Sequence, residues 1–194
     1  MALILQREKR IVFRLAYVGI PFSGKSTIMK SLHRSFSREE RGEMRQGFIN
    51  QDRGLAFDLL RSPISVIPGF SSSIQFSTLP GYCARTNSHR QLLKQVDGIL
   101  YIVDSQWDRM NENVKAFAAI QEIIIDQKKS LSEIPFVLIF NKQEMKQSAP
   151  RSYLEETFNQ RSQIAPTFEV NPFFGKGVVD SFQSILKQLE LSYR

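Results

Sequence analysis

The chain has almost no cysteine, little histidine and no long apolar run. Each shortage removes a class of protein. Cys83 is the single cysteine in 194 residues, so no disulfide can close within the chain, and a reducing compartment is the expectation. His33 and His89 are the only histidines, too few and too scattered to suggest a metal centre of nitrogen and sulfur ligands. No apolar stretch approaches the roughly 20 residues that a membrane-spanning helix needs. Met1 to Arg10 has a short apolar start followed by charges, the reverse of a secretory leader. The expectation is therefore a soluble, cytoplasmic protein. Repeats, low-complexity tracts and long linkers are lacking as well, so one domain over residues 1–194 is expected.

What the chain does have is an uneven positive charge. The net charge of +7 sits mainly in the first third, where residues 1–61 hold 12 Lys/Arg against 6 Asp/Glu. Residues 62–194 hold 14 against 13. Such a field suits an anionic ligand, an acidic partner or a negatively charged membrane face, and it suits a solvated surface equally well.

Short β-rich runs alternate with amphipathic stretches. Ile11 to Val18 reads as a strand, and Thr27 to Phe36 as a helix with Ile28, Met29, Leu32 and Phe36 at helical spacing. Gly47 to Leu60 and Ile64 to Leu79 read as hairpins, the second turning at Pro68-Gly69, and Ser71 to Ser73 reads as a turn. Ala84 to Val96 reads as a helix and Gly98 to Val103 as a buried strand. Arg109 to Gln127 reads as a helix carrying Val114, Phe117, Ala118, Ile120 and Ile124 on its apolar side. Pro135 to Phe140 and Thr167 to Val170 complete the strands, and Ser152 to Asn159 and Gly177 to Leu191 the helices. Apolar strands alternating with helices predict an α/β fold, with a mostly parallel central sheet covered on both faces.

Residues 19–26, Gly-Ile-Pro-Phe-Ser-Gly-Lys-Ser, satisfy G-x-x-x-x-G-K-[ST] in full, between a strand and a helix. Gly19 and Gly24 let the backbone turn tightly and approach phosphate oxygens. The N–H groups between them, less the one Pro21 lacks, form an anion nest, and the helix N-terminus adds its own N–H groups and dipole. Gly19, Ser23, Gly24, Lys25, Ser26 and Thr27 are the candidate phosphate-binding residues. Lys25 would span the β- and γ-phosphates, and Ser26 would give its hydroxyl to Mg²⁺. A second motif follows the strand PFVLIF. Asn141-Lys142-Gln143-Glu144 is close to N-K-x-D, in which Asn contacts a purine, the Lys stem covers it and the carboxylate accepts two N–H bonds from guanine. Asn141, Lys142 and Glu144 are therefore candidate base contacts.

The segments VGIPFSGKST, QDRGLAFDLL, STLPGY, LLKQVDGILYIVDS, IPFVLIFNK and GKGV, in that order, resemble the mutual gliding protein A family of bacterial Ras-like GTPases. The similarity runs from about Ile11 to Leu189. It implies a Ras-like P-loop fold with an extra strand, GTP and GDP as ligands with Mg²⁺, and a switch that works by moving a strand segment. It further implies a roadblock-type homodimer that speeds hydrolysis, together with polarity factors, as partners. A cytoplasmic location, at a cell pole, goes with that resemblance. Nucleic acid is not among the expected partners, whereas peripheral membrane contact is compatible with the charge.

Four positions depart from the family pattern. Its first switch ends in Arg-Thr, the Arg serving as a built-in arginine finger and the Thr completing the Mg²⁺ shell; this chain has Arg53-Gly54. Its second switch reads Pro-Gly-Gln, where Gln orients the attacking water; this chain has Pro80-Gly81-Tyr82, and a phenol cannot present an amide's paired donor and acceptor. Glu144 stands where the base-reading motif has Asp. The loop that gives guanine O6 an N–H aligns near Val170-Asn171-Pro172-Phe173, and Pro172 has none to give. The expectation is a nucleotide-binding switch with slow hydrolysis and open base selectivity. The alternative is a scaffold of the same fold that works through its surfaces with little or no hydrolysis. Asp104, at a strand end, reads as a fold or loop residue.

Overall fold

The computed structural model describes residues 2–49, 52–62, 67–78, 87–160 and 164–193. The strands are β1 Leu3–Leu5, β2 Arg10–Val18, β3 Arg45–Ile49, β4 Asp52–Leu59, β5 Ser71–Thr78, β6 Gly98–Asp104, β7 Phe136–Asn141 and β8 Thr167–Val170. The helices are α1 Lys25–Ser35, α2 Asn87–Gln95, α3 Met110–Asp126, α4 Arg151–Phe158 and α5 Val178–Ser192. One sheet takes all eight strands, in the order β3-β4-β5-β2-β6-β7-β8, with β1 joined to β2 off that path. From β5 to β8 every neighbouring pair is parallel. The β3–β4 and β4–β5 pairs are antiparallel.

The period of two along each strand sorts the core into two layers. Leu15 and Tyr17 of β2, Leu100 and Ile102 of β6, and Val137 and Ile139 of β7 join Ile28, Met29 and Leu32 of α1 and Phe182, Ile185 and Leu189 of α5. The alternate residues Ala16, Val18, Ile99, Tyr101, Val103, Leu138 and Phe140 face Leu93 of α2, Phe117, Ile120 and Ile124 of α3, and Leu154 and Phe158 of α4. Strands β6 and β7 are buried along their whole length, as a sheet covered on both sides requires. The mostly parallel sheet with helices on both faces is as the sequence predicts.

Two local readings need correction, and one strand was missed. Ser71 to Ser73 is the start of β5, not a turn, and Ser72 and Ser73 are buried in the sheet. Strand β5 pairs with β4 and β2, while residues 63–66, in the first arm of the expected hairpin, lie outside the described residues. The turn at Pro68-Gly69 is present, with Gly69 at φ 79° and the Phe70 N–H donating to Ile67 O at 3.1 Å. In α3 the buried stripe is Met110, Asn113, Phe117, Ile120, Ile123 and Ile124, while Val114 and Ala118 are exposed. Asn113 displaces the apolar reading because its amide is fully satisfied inside. Its Nδ2 donates to Asp104 O (2.8 Å) and Arg109 O (3.0 Å), and its Oδ1 accepts from Asp104 N (3.2 Å). Finally, β1 was not legible: three residues carry too little pattern. It pairs antiparallel with the first residues of β2, on the edge that β6 takes from Leu15 onward.

Candidate nucleotide site

The four parallel strands β2, β6, β7 and β8 end at one rim of the sheet, where a doubly wound fold places its ligands. Register sets the neighbours there: Val18 lies beside Tyr101, Asp104 beside Asn141, and Asn141 beside Val170. The loop after β2 is the glycine-bounded motif. Gly19 has φ 153° and Gly24 φ 98°. A Cβ on Gly19 would stand 2.3 Å from Ile102 O, and one on Gly24 would stand 2.1 Å from Asn141 Nδ2. Both glycines are thus required by conformation and by space at once.

Gly24 precedes α1 without a side-chain cap. Among the described residues, the N–H groups of Phe22, Gly24, Lys25, Ser26 and Thr27 have no hydrogen-bond partner. Five donors open toward the loop and the helix N-terminus, which is the chemistry of an anion site. Lys25 is buried and folds over the loop, its Nζ donating to Gly19 O (2.9 Å) and Ile20 O (2.6 Å). Burial lowers its pKa to about 8. Ser23 is fully buried with its hydroxyl unpartnered. Ser26 and Thr27 sit at the second and third positions of α1, Ser26 exposed and Thr27 half-buried.

The loop is held from below by groups far away in sequence. Asn141 Nδ2 donates to Ser23 O at 2.8 Å, and Asn141 Oδ1 is buried without a partner. Arg109 donates to Pro21 O at 3.1 Å while forming an ion pair with Glu112 at 2.9 Å. Lys142, at φ 66°, places its Nζ 2.6 Å from Asp104 Oδ2, and that carboxylate is almost fully buried. The other oxygen of Asp104 accepts from Gln106 N (3.3 Å) and Gln106 Nε2 (3.1 Å). Asp104 therefore joins Lys142 to the start of α3 and is more than a loop residue. Its place could have been found from the strand register, which sets it opposite Asn141, but from nothing nearby in sequence.

The remaining predicted residues lie farther out. Glu144 is exposed on a turn closed by the Met145 N–H donating to Lys142 O at 3.1 Å. Asn171 and Lys176 exchange two backbone hydrogen bonds of 3.1 Å that close a turn of their own. Within it Pro172 has no N–H, and the Phe173 N–H donates to Asn171 Oδ1 at 3.2 Å. Arg53 and Gly54 belong to β4, opposite Phe48 and Gly47 of β3, and Gly54 is buried. Pro80, Gly81, Tyr82 and Cys83 lie outside the described residues.

Residues 81–189 match the model of the ADP-ribosylation factor family. The chain belongs to that family. The match takes in α2 through most of α5, with Asp104, Asn141 and Lys142 inside it and the phosphate loop before it. The chain is also 26% identical over 187 residues to the mutual gliding-motility protein MglA of Myxococcus xanthus (strain DK1622), covering 96% of this chain and 95% of that one. That alignment spans too much of both chains to omit the phosphate loop. The chain is thus a divergent small GTPase of the ADP-ribosylation factor family, similar over nearly its whole length to MglA, with the P-loop GTPase fold and the reading of a GTP-binding regulatory switch.

The residues present fit a nucleotide triphosphate. Free N–H groups, an ammonium and a glycine-cleared backbone suit phosphates. Mg²⁺, which keeps several waters, needs little more from the protein than the Ser26 hydroxyl. Among the described residues no cluster of three His, Cys, Asp or Glu competes for a metal.

Proposed function

We propose that this protein is a GTP/GDP-binding switch in bacterial cell polarity or motility, with slow or partner-dependent hydrolysis. The observation that carries the reading is the unpartnered N–H groups of Phe22, Gly24, Lys25, Ser26 and Thr27, with Lys25 lying across the loop. In this reading Lys25 exchanges two carbonyls for β- and γ-phosphate oxygens, a stronger charge-assisted pairing. Ser26 holds Mg²⁺, which neutralises charge on the same phosphates. Asn141 and Lys142 bracket the base, and Glu144 reaches guanine only if its turn comes inward.

Hydrolysis is the weak point. Arg53 supplies an arginine finger, and such a group can be worth roughly 10³–10⁵ in rate. Gly54 offers Mg²⁺ no hydroxyl, and Tyr82 does not orient a water. A partner could supply what these positions lack, a roadblock-type homodimer by the family resemblance. Polarity factors, a cytoplasmic or polar location and peripheral membrane contact belong to the same proposal. The second reading, a scaffold with little or no hydrolysis, is favoured by the burial of Gly54 within β4, where it pairs with Gly47 of β3.

Titration of nucleotide-free protein with GTP, GDP and ATP, with and without Mg²⁺, followed by single-turnover hydrolysis, separates the two. Mg²⁺-dependent binding below about micromolar with slow turnover is expected (about −8 kcal/mol). The double substitution Gly54→Thr with Tyr82→Gln should raise single-turnover hydrolysis at least ten-fold. An unchanged rate would remove this account of the defect, and absence of binding would remove the switch.

A further inference from the structure

The turn after β8 shows two phenylalanines to solvent side by side. Phe173 is 82% and Phe174 86% exposed, an arrangement that leaves two large apolar rings with nothing to pack on. The turn that presents them is held at its base by the two Asn171–Lys176 hydrogen bonds and inside by the Asn171 side chain. Behind it Gly177 has φ 71°, and a Cβ there would meet Glu169 O at 2.3 Å. The rings are therefore displayed by a built turn.

Its location gives the rings a partner. Val170, the last residue of β8, is the sheet neighbour of Asn141, about 4.8 Å away across the ladder. Asn141 in turn holds Ser23 of the phosphate loop. The turn carrying Phe173 and Phe174 and the turn carrying Lys142 and Glu144 leave the sheet side by side, on the rim that carries the loop Gly19–Gly24. The hydrogen-bonding means of reading a base are poor here. Glu144 is exposed, Pro172 lacks an N–H, and the Phe173 N–H is occupied. What this turn offers in quantity is aromatic surface.

We propose that Phe173 and Phe174 hold the nucleotide's base by stacking, so that this chain recognises a purine more by its ring face than by its edge. The proposal rests on the nucleotide-binding reading above. A ring face is common to every base, so stacking supplies affinity with little discrimination between guanine, hypoxanthine and adenine.

The test measures dissociation constants for GTP, ITP, ATP and inorganic tripolyphosphate, each with Mg²⁺, by competition against a fluorescent GTP analogue. Subjects are the full chain and its Phe173→Ala, Phe174→Ala and doubly substituted variants. The double variant should weaken GTP, ITP and ATP together by about ten-fold or more, the loss expected of a base–aromatic stack. Tripolyphosphate should bind as before, and Phe→Trp at either position should restore the loss. As a contrast, Glu144→Ala should change GTP relative to ATP by less than the double variant changes both. Unchanged affinities in the double variant would overturn the proposal, as would a loss confined to GTP, which indicates edge reading. A parallel loss for tripolyphosphate would also overturn it, by showing damage to the phosphate loop. If tripolyphosphate binds the native chain but nucleotides bind no tighter, stacking fails while the phosphate site stands. If neither binds, the nucleotide reading itself fails.

Discussion

The phosphate half of the proposed site and its proposed base half are built by different means. The phosphate half is an interior structure: Gly19, Ser23 and Lys25 are buried, and the carbonyls of Ser23 and Pro21 are tied to Asn141 and Arg109. The base half is a surface structure, in which Glu144, Phe173 and Phe174 are exposed on two short turns. Buried polar groups leave little room for substitution, because an unmatched donor or charge in the interior is costly. Exposed turns tolerate change at small cost. The departures from the family pattern that fall on the site's described side chains, at Glu144 and around Pro172, accordingly lie in the tolerant half.

The comparison can be broken most severely at Lys25. Lys25→Ala should weaken Mg²⁺–GTP binding by at least a hundred-fold, since two charge-assisted hydrogen bonds of about 1.5–3 kcal/mol each are lost. Equilibrium titration checks this, and a loss under ten-fold would mean that the lysine remains on its two carbonyls when nucleotide binds.

Next in size is Gly24→Ala. Its new Cβ meets Asn141 Nδ2 in a backbone conformation that L-residues avoid. We expect about 2–3 kcal/mol of lost stability, from strain and the displaced hydrogen bond, together with loss of nucleotide binding. Denaturant melts report the first. A fully stable variant would show that the contact between the loop and Asn141 is not tight.

Asp104→Asn probes the joint between the halves. The Lys142 ammonium then loses its carboxylate, but with its side chain 26% exposed it can turn toward water. The cost should fall to about 1–2 kcal/mol, below that of a fully buried pair. Affinity for GTP should fall about ten-fold, whereas tripolyphosphate binding should hold, and equal losses for both would place Asp104 in service of the phosphate half.

The smallest effect is in pH. Burial holds the Lys25 pKa at about 8 in the folded chain, below its unfolded value of about 10.5. The unfolded chain therefore binds more protons between those values, so stability should rise as pH increases from about 8 to 10.5. Below pH 8 this contribution is flat. Thermal melts of the native chain against Lys25→Met isolate the term, and identical pH profiles would remove it.

The fold was legible wherever periodicity had length to act. The runs Gly98 to Val103 and Pro135 to Phe140 could only be strands buried on both sides, and α5 showed its stripe plainly. Elsewhere the signal was too short or the residue type misleading. Ser71 to Ser73 has turn composition, yet Ser72 and Ser73 pair with Ile11 and Val12 of β2, and the Ser72 hydroxyl donates to Ser62 O at 3.3 Å. Asn113 looks polar and therefore outward, but its amide finds three backbone partners inside.

By itself the sequence determined the phosphate loop, because nine contiguous residues, Gly19 to Thr27, carry its chemistry and the strand before and helix after are local. It also determined the alternation that forces a parallel sheet between two helical layers. Only the tertiary structure decided what supports that loop. Arg109 and Asn141 come from two segments that register and packing bring to Pro21 and Ser23, and no local pattern encodes a contact between residues 23 and 141. The placing of the exposed Phe173 and Phe174 beside Asn141 and Lys142 is of the same kind. The side chains are written in the sequence, but their neighbours are set by which strands pair.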